Sequence, residues 1–99
     1  LVTSRLLVAQ SLSHGQTGSA PLVNAAMAKV FASELSQSLC ESALDMLGAT
    51  ALLSRGAPDV PADGEIELLL RTSIMFVVGG GSNEIQRNII AQRGLGMGR

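Results

Sequence analysis

Apolar side chains recur at three- and four-residue steps along most of this chain, the spacing that lines one face of an α-helix. The clearest run is Val23, Met27, Val30, Phe31, Leu35, Leu39, Leu44 and Leu47. It holds the pattern over about seven turns and predicts one long amphipathic helix. Pro21 suits the first turn, where a missing amide hydrogen costs nothing, and Gly48 suits the left-handed position just past the end. Ahead of it, Val2, Leu6, Leu7, Val8 and Leu12 read as the tail of a helix running into a polar, glycine-containing loop over residues 13–18.

Residues 49–64 contain Pro58, Pro61, Gly56 and Gly64 with few periodic apolar positions, and read as a connecting loop. A third helix follows. Asp63 can cap it, Glu65 and Glu67 put negative charge in its first turn, and residues 66–78 are apolar on most faces, which predicts a buried helix. Gly79, Gly80 and Gly81 break it. Ser82 then caps a last helix with Glu84 early, Arg87 and Arg93 later, and Gly94 as the stop. No alternating strand pattern and no internal repeat occurs, so the expected fold class is all-α, an antiparallel helical bundle.

Composition narrows the partners. Ninety-nine residues leave room for one domain with a modest core, yet the chain is 46% hydrophobic with only two aromatic residues, both Phe. Some of that apolar surface is expected to meet something else. The net charge is −1 and the seven Lys and Arg are scattered, which leaves no footprint for nucleic acid or an anionic membrane. Apolar stretches stop short of the roughly 20 residues a bilayer span requires, and no leader opens the chain, so the reading is a soluble, cytoplasmic protein. The first residue is Leu1 rather than Met, so the chain reads as part of a longer product. A single cysteine, Cys40, makes no internal disulfide and suits a small buried position in a reducing compartment.

Candidate chemistry is sparse. There is no CxxC or HExxH spacing for a metal, and His14, the one histidine, falls in a loop without identifiable partners. The three-glycine turn before Ser82 admits two readings: a sharp corner between helices, or a bare turn whose amide hydrogens meet a phosphate or oxyanion. Arg71, inside an apolar helix, calls for an ion-pair partner or a route to solvent, with Asp45 and Glu84 as the candidate partners.

The closing sequence Gly80-Gly-Ser-Asn-Glu-Ile-Gln-Arg-Asn-Ile-Ile-Ala-Gln-Arg-Gly-Leu-Gly resembles the last motif of acyl-CoA dehydrogenases. In that family a turn bearing a catalytic glutamate is followed by Gly, then Thr or Ser, then a helix containing Ile-Gln-Arg. Residues 26–47 resemble the family's long penultimate helix, and Arg71 falls where an Arg-Asp pair is usual, here with Thr72 in place of the aspartate. The resemblance implies that residues 1–99 are the family's C-terminal helical domain, incomplete at its N-terminal side. It further implies FAD as cofactor, an acyl-CoA substrate oxidised to the trans-2-enoyl thioester, a homo- or hetero-oligomer, and an electron-accepting flavoprotein as partner.

Such a reaction needs a carboxylate base in a dry slot facing the flavin, and donors on the thioester oxygen. Carried onto this chain, the base position is Gly80, which leaves no catalytic side chain here. Gly81 matches the glycine beside the acyl thioester, and Ser82, Asn83 and Glu84 match the start of the helix that touches the flavin dinucleotide. Asp45, Met46, Leu47, Gly48 and Ala49 stand where the family usually has Gln, two apolar residues and Gly-Gly against the FAD of a neighbouring subunit. Asp for Gln brings a negative charge towards a pyrophosphate, and Ala for Gly adds bulk at a close approach. Two expectations follow: part of an active dehydrogenase whose base lies elsewhere, or a non-catalytic partner subunit in a mixed oligomer.

Overall fold

The computed structural model describes residues 2–13 and 20–98, and within them every regular element is helical. The α-helices are α1 (Val2–Ser13), α2 (Ala20–Leu47), α3 (Glu65–Val78) and α4 (Asn83–Ile89). The fold class is all-α, as expected. Two compact units result: the described part of residues 1–32 with residues 80–98, and Ser33–Gly79. The expected loop at residues 13–18 falls, apart from Ser13, outside the described residues, as does His14.

Helix α2 takes the extent its apolar pattern predicts. Pro21 lies in its first turn, and Gly48, at φ +59°, turns the chain out of it. The Thr50 hydroxyl donates to the Leu47 carbonyl at 2.6 Å, satisfying one of the acceptors a helix end leaves open. The most buried positions are nevertheless small: Ala26, Ala28, Ser33 and Cys40. Met27, Phe31, Leu39 and Leu47 of the predicted stripe stay exposed.

Residues 49–64 are more ordered than a plain connecting loop. Short 3-10 turns form at Gly48–Leu52 and Pro61–Gly64, and Asp59, Ala62 and Asp63 all adopt left-handed backbone with φ near +50°. Asp63 therefore does not cap α3, contrary to expectation. The cap position belongs to Gly64 at φ +79°, where an added Cβ would come within 2.4 Å of the Arg55 amide nitrogen. The Asp63 carboxylate instead pairs with the Arg55 guanidinium at 3.2 Å, and that guanidinium also reaches Glu65 at 2.7 Å.

Two further expectations are corrected at α3. Arg71 pairs with neither Asp45 nor Glu84 but with Glu67 at 3.3 Å, one turn earlier on the same helix, and its side chain is 69% exposed. Proximity decides this, because residues four apart on a helix face each other without help from tertiary structure. The helix is also not buried within this chain: Leu68, Leu69, Ile74, Met75, Phe76 and Val78 are exposed, and only Ser73 is buried. A body this small has too little surface of its own to cover an apolar helix.

Candidate functional site

The glycine turn is built from the exit of α3 to the cap of α4. Gly79 is extended and its N–H donates to the Met75 carbonyl at 2.6 Å. Gly80 and Gly81 follow at φ +70° and +92°, conformations that L side chains rarely adopt. A Cβ at Gly80 would meet nothing within 4 Å, whereas one at Gly81 would lie 2.8 Å from Gln86 Nε2. That same nitrogen donates to the Gly80 carbonyl at 3.1 Å, so the turn is closed by a side chain of the helix it opens.

Ser82 caps α4 as expected. Its backbone is extended, its hydroxyl oxygen accepts from the Ile85 N–H at 3.5 Å, and its carbonyl accepts from the Gln86 N–H at 3.0 Å. The Glu84 carboxyl is held below the usual carboxylate range, chiefly by a hydrogen bond from the Ser82 hydroxyl and then by its own backbone amide, with Arg87 and Lys29 adding attraction. Glu84 itself is exposed, while the Asn83 side chain is buried. Asn83 Oδ1 accepts a 2.6 Å hydrogen bond from the Lys29 ammonium of α2.

Residues 80–84 thus come together in one compact unit, and residues 45–49 belong to the other. At the end of α2 all five of Asp45, Met46, Leu47, Gly48 and Ala49 are exposed, Met46 to 84%. A Cβ at Gly48 would meet no atom within 4 Å. Lys29 and Gln86 were not among the residues the sequence singled out. Nothing local marks Lys29, whose partner is 54 residues away, and Gln86 is visible only as the middle of the Ile-Gln-Arg triplet. Among the described residues no cluster of three or more His, Cys, Asp or Glu is placed to hold a metal ion, and no helix is long and apolar enough to cross a membrane.

The family model for the C-terminal domain of acyl-CoA dehydrogenases matches residues 1–95. This chain belongs to the acyl-CoA dehydrogenase family. One relative, the acyl-CoA dehydrogenase FadE26 of Mycobacterium tuberculosis, is 36% identical over 76 residues, covering 77% of this chain and 19% of that protein. The crystal structure of the ChsE4-ChsE5 complex from Mycobacterium tuberculosis contains a chain of the same fold, with a TM-score of 0.86 and 30% identity over 99% of this chain. The match covers 25% of that solved chain. This acyl-CoA dehydrogenase chain therefore spans about a fifth of the length of one relative and a quarter of the other.

Proposed function

We propose that this chain is the C-terminal part of an FAD-dependent acyl-CoA dehydrogenase that oxidises an acyl-CoA thioester to the trans-2-enoyl thioester, and that its own residues bind and orient rather than take the proton. The turn at residues 80–84 carries this reading. Gly80 offers no side-chain proton acceptor, so in the full-length protein the base comes from outside this turn. Gly81 lies beside the acyl thioester, and the missing Cβ lets backbone approach closely.

Ser82, Glu84 and the backbone of Asn83, whose side chain is buried, would meet FAD, which when bound accepts the hydride that leaves the acyl chain, while residues 45–49 would meet the FAD of a neighbouring subunit. The fit at Ser82 is conditional on an exchange of partners. Its hydroxyl is the main influence lowering the Glu84 pKa, so an anionic group arriving here competes with Glu84 for the same donor. At the other cluster, open space beside Gly48 suits close contact, while Asp45 opposes a pyrophosphate by charge. The exposed apolar ends at Met46 and Leu47 suit burial against a second subunit. Electrons would pass onward to a separate flavoprotein, and the setting is cytoplasmic.

A second reading has an observation of its own. Gly80, Asp45 and Ala49 each depart from the family's pattern, and the structural relative is a complex of two different proteins; together these support a non-catalytic partner subunit in a mixed oligomer. Anaerobic titration of the full-length protein with acyl-CoA thioesters, followed by oxidised-flavin absorbance, separates the two. The dehydrogenase reading expects bleaching without an added partner. Absence of bound flavin, or flavin that never bleaches, would replace it with the partner-subunit reading.

A further inference from the structure

Two consecutive positive-φ glycines leave the turn at residues 80–81 without side chains of its own, and beyond the Gln86 bond to the Gly80 carbonyl it has to be held from elsewhere. The restraint comes from the inner side of α4. Asn83, the first residue of that helix, is 2% exposed, and its Oδ1 accepts the 2.6 Å bond from Lys29 Nζ. An ammonium beside a helix's first turn stands at the positive end of the helix dipole, so the dipole does not account for its position. A short, charge-assisted bond to a buried amide holds it there, with attraction to the Glu84 carboxylate beside it. Both residues lie in one compact unit, on segments 54 residues apart, and the contact ties α4 to α2 at the point where the glycine turn ends.

Resting on the reading of this turn as the face that meets the acyl thioester, we infer that Lys29 is a positioning residue, acting through Asn83 to hold residues 80–82 in the orientation the substrate requires. It touches neither substrate nor flavin. Its removal leaves the groups that form the Ser82 cap and the Gln86 bond to Gly80 present but lets those bonds open more often.

The test uses the full-length protein carrying Lys29→Met, which keeps the aliphatic stem, and Lys29→Arg, which keeps a charged donor. Amide hydrogen exchange at Ile85 and Gln86, whose N–H groups bond to Ser82, is expected to rise roughly tenfold or more in the Met variant, the scale of one lost charge-assisted hydrogen bond. Amides of α3 should keep their wild-type rates, and Lys29→Arg should restore most of the protection. Unchanged exchange at Ile85 and Gln86, or an equal rise across α3, overturns the inference, the latter because it marks global loosening. Lys29→Gln replaces Lys29→Met if the latter does not fold.

A functional readout accompanies it. The rate of flavin bleaching by acyl-CoA, per bound flavin, should fall in Lys29→Met and recover in Lys29→Arg; a wild-type rate despite faster exchange also overturns the inference. A wild-type protein that never bleaches removes the dehydrogenase reading and with it the role towards substrate, whereas the exchange result, measured without substrate, separately decides whether Lys29 holds the turn.

Discussion

Ser82 serves its own helix in two ways, accepting from the Ile85 amide and donating to Glu84. Ser82→Ala would remove the cap bond and the influence that lowers the Glu84 pKa, and the cap component costs about 1 kcal/mol. If Ser82 also contacts FAD in the full-length protein, flavin retention should fall further than that figure explains. Thermal unfolding and the flavin-to-protein ratio, measured on the same preparation, check this; equal losses would make Ser82 a cap and nothing more. The sign of the Glu84 effect follows from its lowered pKa: its contribution is present above the ordinary carboxylate range and is lost as pH falls through the folded-state value. Cap and acid were both legible in the sequence because they act within three residues. The Lys29 bond to Asn83 was not, since no local pattern announces a partner 54 residues away.

At the scale of elements, glycine follows the C-terminal end of each predicted helix, but the sequence did not separate the glycines that turn freely from those that are packed. Gly48 and Gly64 are both left-handed, yet a Cβ at Gly48 enters open space and one at Gly64 collides with the backbone of Arg55. Gly48→Ala should therefore cost about 1 kcal/mol, the conformational penalty alone. Gly64→Ala should cost several times more, because two backbone segments must separate. Denaturant unfolding of the full-length protein with each substitution checks the ranking, and equal costs would show that the contact at Gly64 relaxes easily. Asp63 illustrates the same limit: its position before a helical run suggested a cap, but left-handed backbone at residues 62–64 turned it towards Arg55.

For the whole molecule, the balance between covered and uncovered apolar surface decides behaviour. Among the described residues the buried apolar ones are Ala26, Ala28, Cys40 and Ala51, all small, whereas Met46, Met75, Phe76 and Val78 are exposed. Such a core supplies little of the stability an independent domain needs. The isolated 99-residue chain is expected to self-associate, with a broad thermal transition. Light scattering across a concentration series and calorimetry check this, and a monomer with a sharp transition would show that the small buried residues suffice.

What the sequence determined by itself is whatever neighbours along the chain decide. Helix extents follow from the three- and four-residue recurrence of apolar positions, the breaks from glycine and proline, and the cap at Ser82 from a hydroxyl placed before three free amides. The closing motif identified the family for the same reason, since its residues are contiguous. Tertiary structure alone decided which side chains are covered. Apolar periodicity marks a face that can be buried but not what buries it, and so the expectation of a buried α3 failed within this chain while that of a buried Cys40 held. It also decided the partners of Asn83, Asp63 and Gly64, because contacts across the fold depend on where distant segments meet, and spacing along the chain carries no record of that.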